Sequence, residues 1–291
     1  MFTAYPPSCR TGFMNLPLSR LHVLEAGEGE PLIMVPATIS ELENWQTLAQ
    51  FMAQWFHVYF FELPGHGQSS PFRGQFSSQR VAELVGQMAD YLRLPSFNLM
   101  GFSFGGILAM RAFQLHSARI NRMVLIAPCL GRPTLPFSAW RILLLREMNR
   151  ILGCPRIQAK FNQLIHNRRT VSVVVKSLQK MGRLEATLSL EKKLLHTPPT
   201  TIAVLNAQVN EILTTYFEPS AFKHRAPCYF AMSPRDPLLR FDVTLDIVRQ
   251  HFANVNTVRL DYPYHQPPRP FTYEELNRDF YETVHAFMSP R

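Results

Sequence analysis

Seven short runs rich in β-branched and aromatic residues punctuate the chain, at residues 21–24, 32–35, 57–61, 97–100, 123–126, 228–232 and 257–260. That content predicts strands, and their largely apolar character predicts burial on both faces, as in a parallel sheet. Between them the apolar positions recur at i, i+3 and i+4. In "SSQRVAELVGQMADYLRL", Val81, Leu84, Val85, Met88, Ala89 and Leu92 fall on one stripe, which predicts an amphipathic helix. Strands alternating with helices predict a doubly wound, mostly parallel α/β sheet.

The alternation stops between residues 131 and 222. There "WRILLLREMNRILG", "RRTVSVVVKSLQKMGRLEATLSLEKKLL" and "TTIAVLNAQVNEILTTYF" keep helical spacing, broken at Pro133, Pro136, Pro155, Pro198, Pro199 and Pro219. This predicts an all-helical insertion of about four or five helices. Charge sets off the same segment. Of a formal net charge of +9, residues 131–222 supply most, holding 13 Lys and Arg against 5 Glu and no Asp. Such a basic face suits anionic substrates or weak association with an anionic membrane surface. No nucleic-acid partner is expected.

At 291 residues and 46% apolar content the chain is long enough for one large α/β domain with an insertion. The first residues do not form a charged leader, apolar stretch and small-residue cleavage site, and no run approaches the length of a membrane span. An unexported, cytoplasmic protein is therefore expected. Cys9, Cys129, Cys154 and Cys228 lack C-x-x-C spacing, so no metal site or disulfide framework is expected, only four buried thiols.

Candidate chemistry begins at Gly101-Phe102-Ser103-Phe104-Gly105, between a predicted strand and a predicted helix. A serine on so sharp a turn sits in a strained conformation, and glycines two residues away on either side remove the obstruction to close packing. A hydroxyl nucleophile also needs a base and an orienting carboxylate. Asp236 lies four residues beyond the run at 228–232, and His265 lies in a proline-rich loop beyond the last predicted strand. Both fall where the carboxyl edge of the sheet would bring them towards Ser103. Asp242, Asp246 and Asp261 compete for the acid role, but the first two sit in a helix start and the third sits close to its strand. His66 and His116 read as turn and helix-end residues.

The order Ser103, Asp236, His265 resembles the α/β-hydrolase superfamily, over nearly the whole chain outside the insertion. "FFELPGHGQSS" is similar to that family's D-x-x-G-x-G-x-S loop, with Glu62 in place of aspartate and Gly65, Gly67 and Ser69 matching. "MVPATISELENW" is similar to its oxyanion loop, with Pro36 and Ala37 where the family carries His-Gly, and Trp45 at the expected distance. The resemblance implies an α/β-hydrolase core over 1–130 and 223–291 and a helical cap over 131–222. It implies a nucleophile at Ser103, an acid at Asp236, a base at His265, and oxyanion donors at the backbone N–H groups of Thr38 and Phe104. It implies no cofactor and no metal. Glu62 and Ser69 are expected to be structural.

The expected activity is hydrolysis of a carboxylic ester of a lipophilic or aromatic small molecule through an acyl-enzyme, with the cap supplying the apolar substrate pocket. Two alternatives stand beside it: a carbon-carbon bond hydrolase using the same three residues, and a ligand-binding or regulatory member of the fold without turnover. Oligomeric state has no signature in the sequence.

Overall fold

The structure is a computed structural model, and it describes residues 6–168, 170, 195, 197–267 and 269–288. Eight strands form one sheet: β1 (Cys9–Asn15), β2 (Arg20–Ala26), β3 (Glu30–Val35), β4 (Phe56–Phe61), β5 (Phe97–Phe102), β6 (Ile120–Ile126), β7 (Cys228–Met232) and β8 (Val255–Arg259). Their spatial order is β1-β2-β4-β3-β5-β6-β7-β8. β2 pairs antiparallel with both β1 and β4, and the other neighbours run parallel.

All seven expected strands are present. β1 went unforeseen because "CRTGFMN" neither alternates cleanly nor runs apolar; it is an edge strand in a hairpin, with most of its residues at least partly exposed. β8 ends at Arg259, so Leu260 lies just past it, held by a hydrogen bond from its N–H to the Met232 carbonyl.

Helices cover both faces. On one lie α1 (Gln46–Met52) and, at the end of the described chain, α8 (Tyr273–Met288). They pack with Leu24, Met34, Phe60, Met100, Val124 and Tyr229 into one apolar cluster. On the other lie α2 (Ser78–Tyr91), α3 (Gly105–His116) and α7 (Phe241–His251), buried against Ile33, Phe61, Leu99, Leu125 and Phe230. The stripe Val81, Leu84, Val85, Met88 of α2 is fully buried, and Ser77 caps its start by accepting from Arg80 N–H.

Within the insertion the described helices are α4 (Ala139–Leu152), α5 (Pro155–Ile165) and α6 (Pro199–Thr214). The helical pattern expected in "RRTVSVVVKSLQKMGRLEATLSLEKKLL" lies almost wholly outside the described residues. The insertion leaves and rejoins the core at one place, where Arg132 N–H donates to the Thr215 carbonyl at 3.0 Å. α6 docks on the core: Thr201 Oγ1 donates to the Gly65 carbonyl, and Glu211 accepts from both Ser78 N–H and Ser78 Oγ at 2.9 Å. Among the described residues no helix is long and apolar enough to cross a membrane.

The cysteines depart from expectation. All four are free thiols, but only Cys129 and Cys228 are buried, while Cys9 is half-buried on β1 and Cys154 is exposed before α5. Burial pushes the Cys129 thiol up to about 11 and raises that of Cys228 further, so both are inert at neutral pH.

Candidate active site

Ser103 occupies the turn between β5 and α3 with φ +52°, the left-handed region that side chains rarely adopt. The turn is over-determined by its neighbours. Ser103 N–H donates to the Ile126 carbonyl at 3.1 Å, and the Ser103 carbonyl accepts from Gly106 and Cys129 N–H, both at 2.8 Å. A Cβ at Gly105 would lie 2.7 Å from the Val35 carbonyl oxygen, and one at Gly101 would collide with the Gly105 backbone. The glycine spacing is therefore required by the crossing of α3 over β3 and β5.

Two later loops meet this turn. His265 Nε2 lies 2.7 Å from Ser103 Oγ, and His265 Nδ1 lies 2.7 Å from Asp236 Oδ2. The side chains of Asp236 and His265 are 1% and 10% exposed, so the carboxylate is shielded while the imidazole edge stays reachable. Asp236 Oδ1 accepts from the N–H groups of Leu238 and Leu239 at 2.8 and 3.0 Å. These bonds fix the direction the carboxylate presents to the imidazole. Asp261, by contrast, points to solvent and pairs with Arg235, while Asp242 lies in the first turn of α7. His66 is buried on the loop after β4, and His116 bonds to the Ala82 carbonyl of α2.

The loop after β3 lies against the same turn. Thr38 and Ser103 line one cavity, and Phe104 is the N-cap of α3, where the helix dipole adds positive potential. Among the described residues the N–H groups of Thr38 and Phe104 donate to no protein acceptor. Both N–H groups are thus left without a protein acceptor, one on each of the two loops that meet at this cavity. Trp45 holds this loop: its indole Nε1–H donates to the Ile39 carbonyl at 2.8 Å, and its ring stacks on Phe60 at 5.4 Å.

Glu62 and Ser69 brace the surroundings. The Glu62 carboxylate is buried and accepts from Leu42 N–H at 3.2 Å and Gln68 N–H at 2.6 Å, joining the loops after β3 and β4. Ser69 Oγ donates to the Glu62 carbonyl and accepts from His22 N–H. The extra methylene of glutamate over aspartate is accommodated within these bonds.

A cavity of about 440 Å³ opens at Ser103. Its described lining comes from the loop after β3, from α1, from the sheet, from the loop after His265 and from α8, and none of it from residues 131–222. Among the described residues this apolar lining belongs to the core. Its deep residues, such as Val124, Tyr229 and Val284, carried no functional signal in the sequence because they sit in elements that read as ordinary core. Among the described residues no group of three His, Cys, Asp or Glu side chains is arranged to hold a metal ion.

Comparison with known proteins agrees with this geometry. The chain is 27% identical over 105 residues to (E)-2-((N-methylformamido)methylene)succinate hydrolase of Acinetobacter baylyi, covering 36% of this chain and 40% of that protein. It is 27% identical over 118 residues to pimeloyl-[acyl-carrier protein] methyl ester esterase of Nitrosomonas europaea, covering 40% and 44%. The matched stretch thus spans less than half the length of these curated relatives. Among solved structures, a bacterial membrane phospholipase A superposes with a TM-score of 0.68 at 19% identity, over 96% of this chain and 86% of that one, a likeness of fold. The alpha/beta hydrolase fold family matches residues 30–226, more than half of the chain. With the strand order, the turn at Ser103 and that match in agreement, the chain belongs to the alpha/beta hydrolase fold family.

Proposed function

We propose that the protein is a serine hydrolase that cleaves a carboxylic ester of a lipophilic small molecule through an acyl-enzyme. The observation that carries this reading is the line Asp236, His265, Ser103, joined by two hydrogen bonds of 2.7 Å and ending at an apolar cavity.

The steps follow from the geometry. His265 Nε2 takes the Ser103 proton as Oγ bonds to the ester carbonyl carbon, and the N–H groups of Thr38 and Phe104 hold the oxyanion. The bond to the alcohol oxygen then breaks, and His265 delivers its proton to that departing oxygen. Water next gives a proton to the same imidazole as it bonds to the acyl carbon. The bond to Ser103 Oγ breaks, the proton returns to Oγ, and the acid leaves. Asp236 holds the Nδ1–H of the imidazole towards itself and stabilises the imidazolium formed in each half. No cofactor enters these steps.

Cleavage of a carbon-carbon bond in a dienone acid would call for a free cation beside the substrate carboxylate. Among the described residues the cation lining the cavity is Arg269, and both oxygens of Glu275 hold it at 2.6 and 2.8 Å, which favours the ester. The free thiols fit a reducing compartment, and we take the cytoplasm as the place of action.

The test compares wild type with Ser103→Ala on p-nitrophenyl butyrate and on a fluorophosphonate probe. Hydrolysis and a covalent mass shift in the wild type, both absent in the variant, are expected. Equal rates from the two proteins and no adduct on either would remove the reading.

A further inference from the structure

We propose that the cavity behind Ser103 is an acyl-chain pocket, seated on the α1/α8 face of the sheet within the core. This rests on the reading of Ser103 as a nucleophile and names the half of the ester that the core receives.

The pocket runs inward along two elements. On β6 it is lined by Ile126 and then Val124, one pleat repeat deeper, which is about 7 Å below the carboxyl edge where Ser103 sits. Val124 stands opposite Tyr229 in the parallel register, so the floor continues across β7. On α8 it is lined by Leu276, Phe280 and Val284, at i, i+4 and i+8. At 1.5 Å per residue that stripe is about 12 Å long. The result is a deep slot, longer than an acetyl group needs.

Its chemistry is that of a hydrocarbon site. Val124, Tyr229 and Val284, at the far end, are 2%, 1% and 5% exposed. The polar atom there, Tyr229 Oη, is engaged with Thr283 Oγ1 at 2.8 Å, and burial raises its pKa to about 12, so it stays a neutral hydroxyl. A chain of CH₂ groups leaves nothing unpaired in such a slot, whereas a charged or multiply hydroxylated group would. Interiors are ordinarily packed to the density of crystals, so a void of this size leading away from a hydroxyl calls for an occupant.

The acyl half fits better than the alcohol half for a reason of order. The alcohol leaves in the first step and needs a way out, while the acyl group stays bonded to Ser103 until water arrives. A slot that runs inward to the buried Val124, Tyr229 and Val284 suits the half that stays.

The test measures kcat/KM on p-nitrophenyl acetate, butyrate, octanoate and decanoate, and on ethyl against octyl butyrate, for wild type and Val284→Phe. Should Val284→Phe fail to fold by circular dichroism, Val284→Leu, one methylene larger, replaces it. The wild type is expected to favour octanoate over acetate at least tenfold. The variant is expected to lower that ratio at least tenfold while the octyl-to-ethyl ratio stays put. A wild-type ratio near one, a folded variant that leaves the ratio unchanged, or a shift confined to the alcohol series would overturn the proposal. Calorimetry of decanoate on Ser103→Ala, with and without Val284→Phe, needs no catalysis. Binding lost on adding Val284→Phe upholds the pocket even if no ester is turned over, whereas no binding to Ser103→Ala overturns it even if short esters are hydrolysed.

Discussion

Ser233 Oγ donates a 2.5 Å hydrogen bond to the carbonyl of Tyr262, tying the turn that carries Asp236 to the loop that carries His265. The same oxygen accepts from Arg235 N–H at 3.0 Å, so one hydroxyl sets both the shape of the turn and its distance from the next loop. The substitution Ser233→Gly removes the tie. A partly buried hydrogen bond is worth about 1 kcal/mol, or about fivefold in kcat if all of it is spent on alignment. Kinetics on p-nitrophenyl butyrate with parallel urea melts are expected to show kcat reduced by about that factor at nearly unchanged KM. Lost stability with full kcat would make Ser233 a brace of the fold alone.

Asp236→Asn separates the shape of the acid's turn from its charge. The side-chain oxygen of asparagine still accepts from Leu238 and Leu239 N–H, so the turn persists. Its NH₂ group, however, meets His265 Nδ1, which can then only accept, and the imidazole is left with its proton on Nε2, facing Ser103. A loss of about 10⁴-fold in kcat with a nearly unchanged melting temperature is expected. Activity within tenfold of wild type would show that Asp236 does not set the tautomer.

Thr38 contributes a backbone group, so its side chain and its N–H should behave differently. Thr38→Val keeps the N–H and is expected to hold activity within about threefold. Thr38→Pro removes the donor and is expected to lose about 10²- to 10³-fold in kcat, the usual cost of one oxyanion donor. Equal, small effects from both substitutions would place the second donor elsewhere. Pro36 and Ala37, where the family has His-Gly, would then have redirected the loop.

Much of this site was legible in the sequence, because its parts are local. A strand, a serine between glycines and a helix are adjacent in the chain, and the acid and base follow in a fixed order. Gly105 shows why: its missing side chain answers to the Val35 and Pro36 backbone only 2.7 and 2.8 Å away, a constraint written into one position. The cavity was not legible. Val124, Tyr229 and Val284 are apolar residues in apolar elements, and the space between them depends on how far α8 stands from the sheet. Periodicity records which face is buried, not how tightly. Ser233 was hidden for a related reason, since its partner lies 29 residues away across a strand and a helix.

His66 makes stability pH-dependent. It is buried beneath α6, where Gln208 Nε2 approaches its ring at 3.4 Å, and burial lowers its pKa from 6.5 to about 4. Between those values the unfolded chain holds a proton that the folded one lacks. Stability therefore falls as the pH drops from about 6.5 to about 4, and this group contributes no slope above 6.5. At 1.36 kcal/mol per pKa unit the full effect is about 3 kcal/mol. Urea denaturation across this range is expected to show the decline in wild type and a shallower one in His66→Gln. Parallel declines in the two proteins would assign the slope to other groups.

On α4, Trp140, Leu144, Met148 and Ile151 fall on one stripe, and all four are exposed, Trp140 by 63%. Of the long side chains of this helix only Ile142 is buried. Arg141 lies beside the stripe, Arg150 pairs with Glu147, and Arg156 and Lys160 continue the positive charge onto α5. An outward apolar stripe edged by arginine is the make-up of a helix lying in a lipid interface, with aromatic and aliphatic groups below the headgroups and guanidinium groups among them. The prediction is that this face rests on anionic membranes. Co-sedimentation with vesicles of phosphatidylcholine alone, or mixed with phosphatidylglycerol, is expected to show binding to the mixed vesicles that weakens as salt is raised. Trp140→Glu with Leu144→Glu is expected to abolish it without loss of activity on soluble esters. Equal and negligible binding to both vesicle types would remove the membrane from the account, and would leave the exposed stripe to be explained by a protein partner.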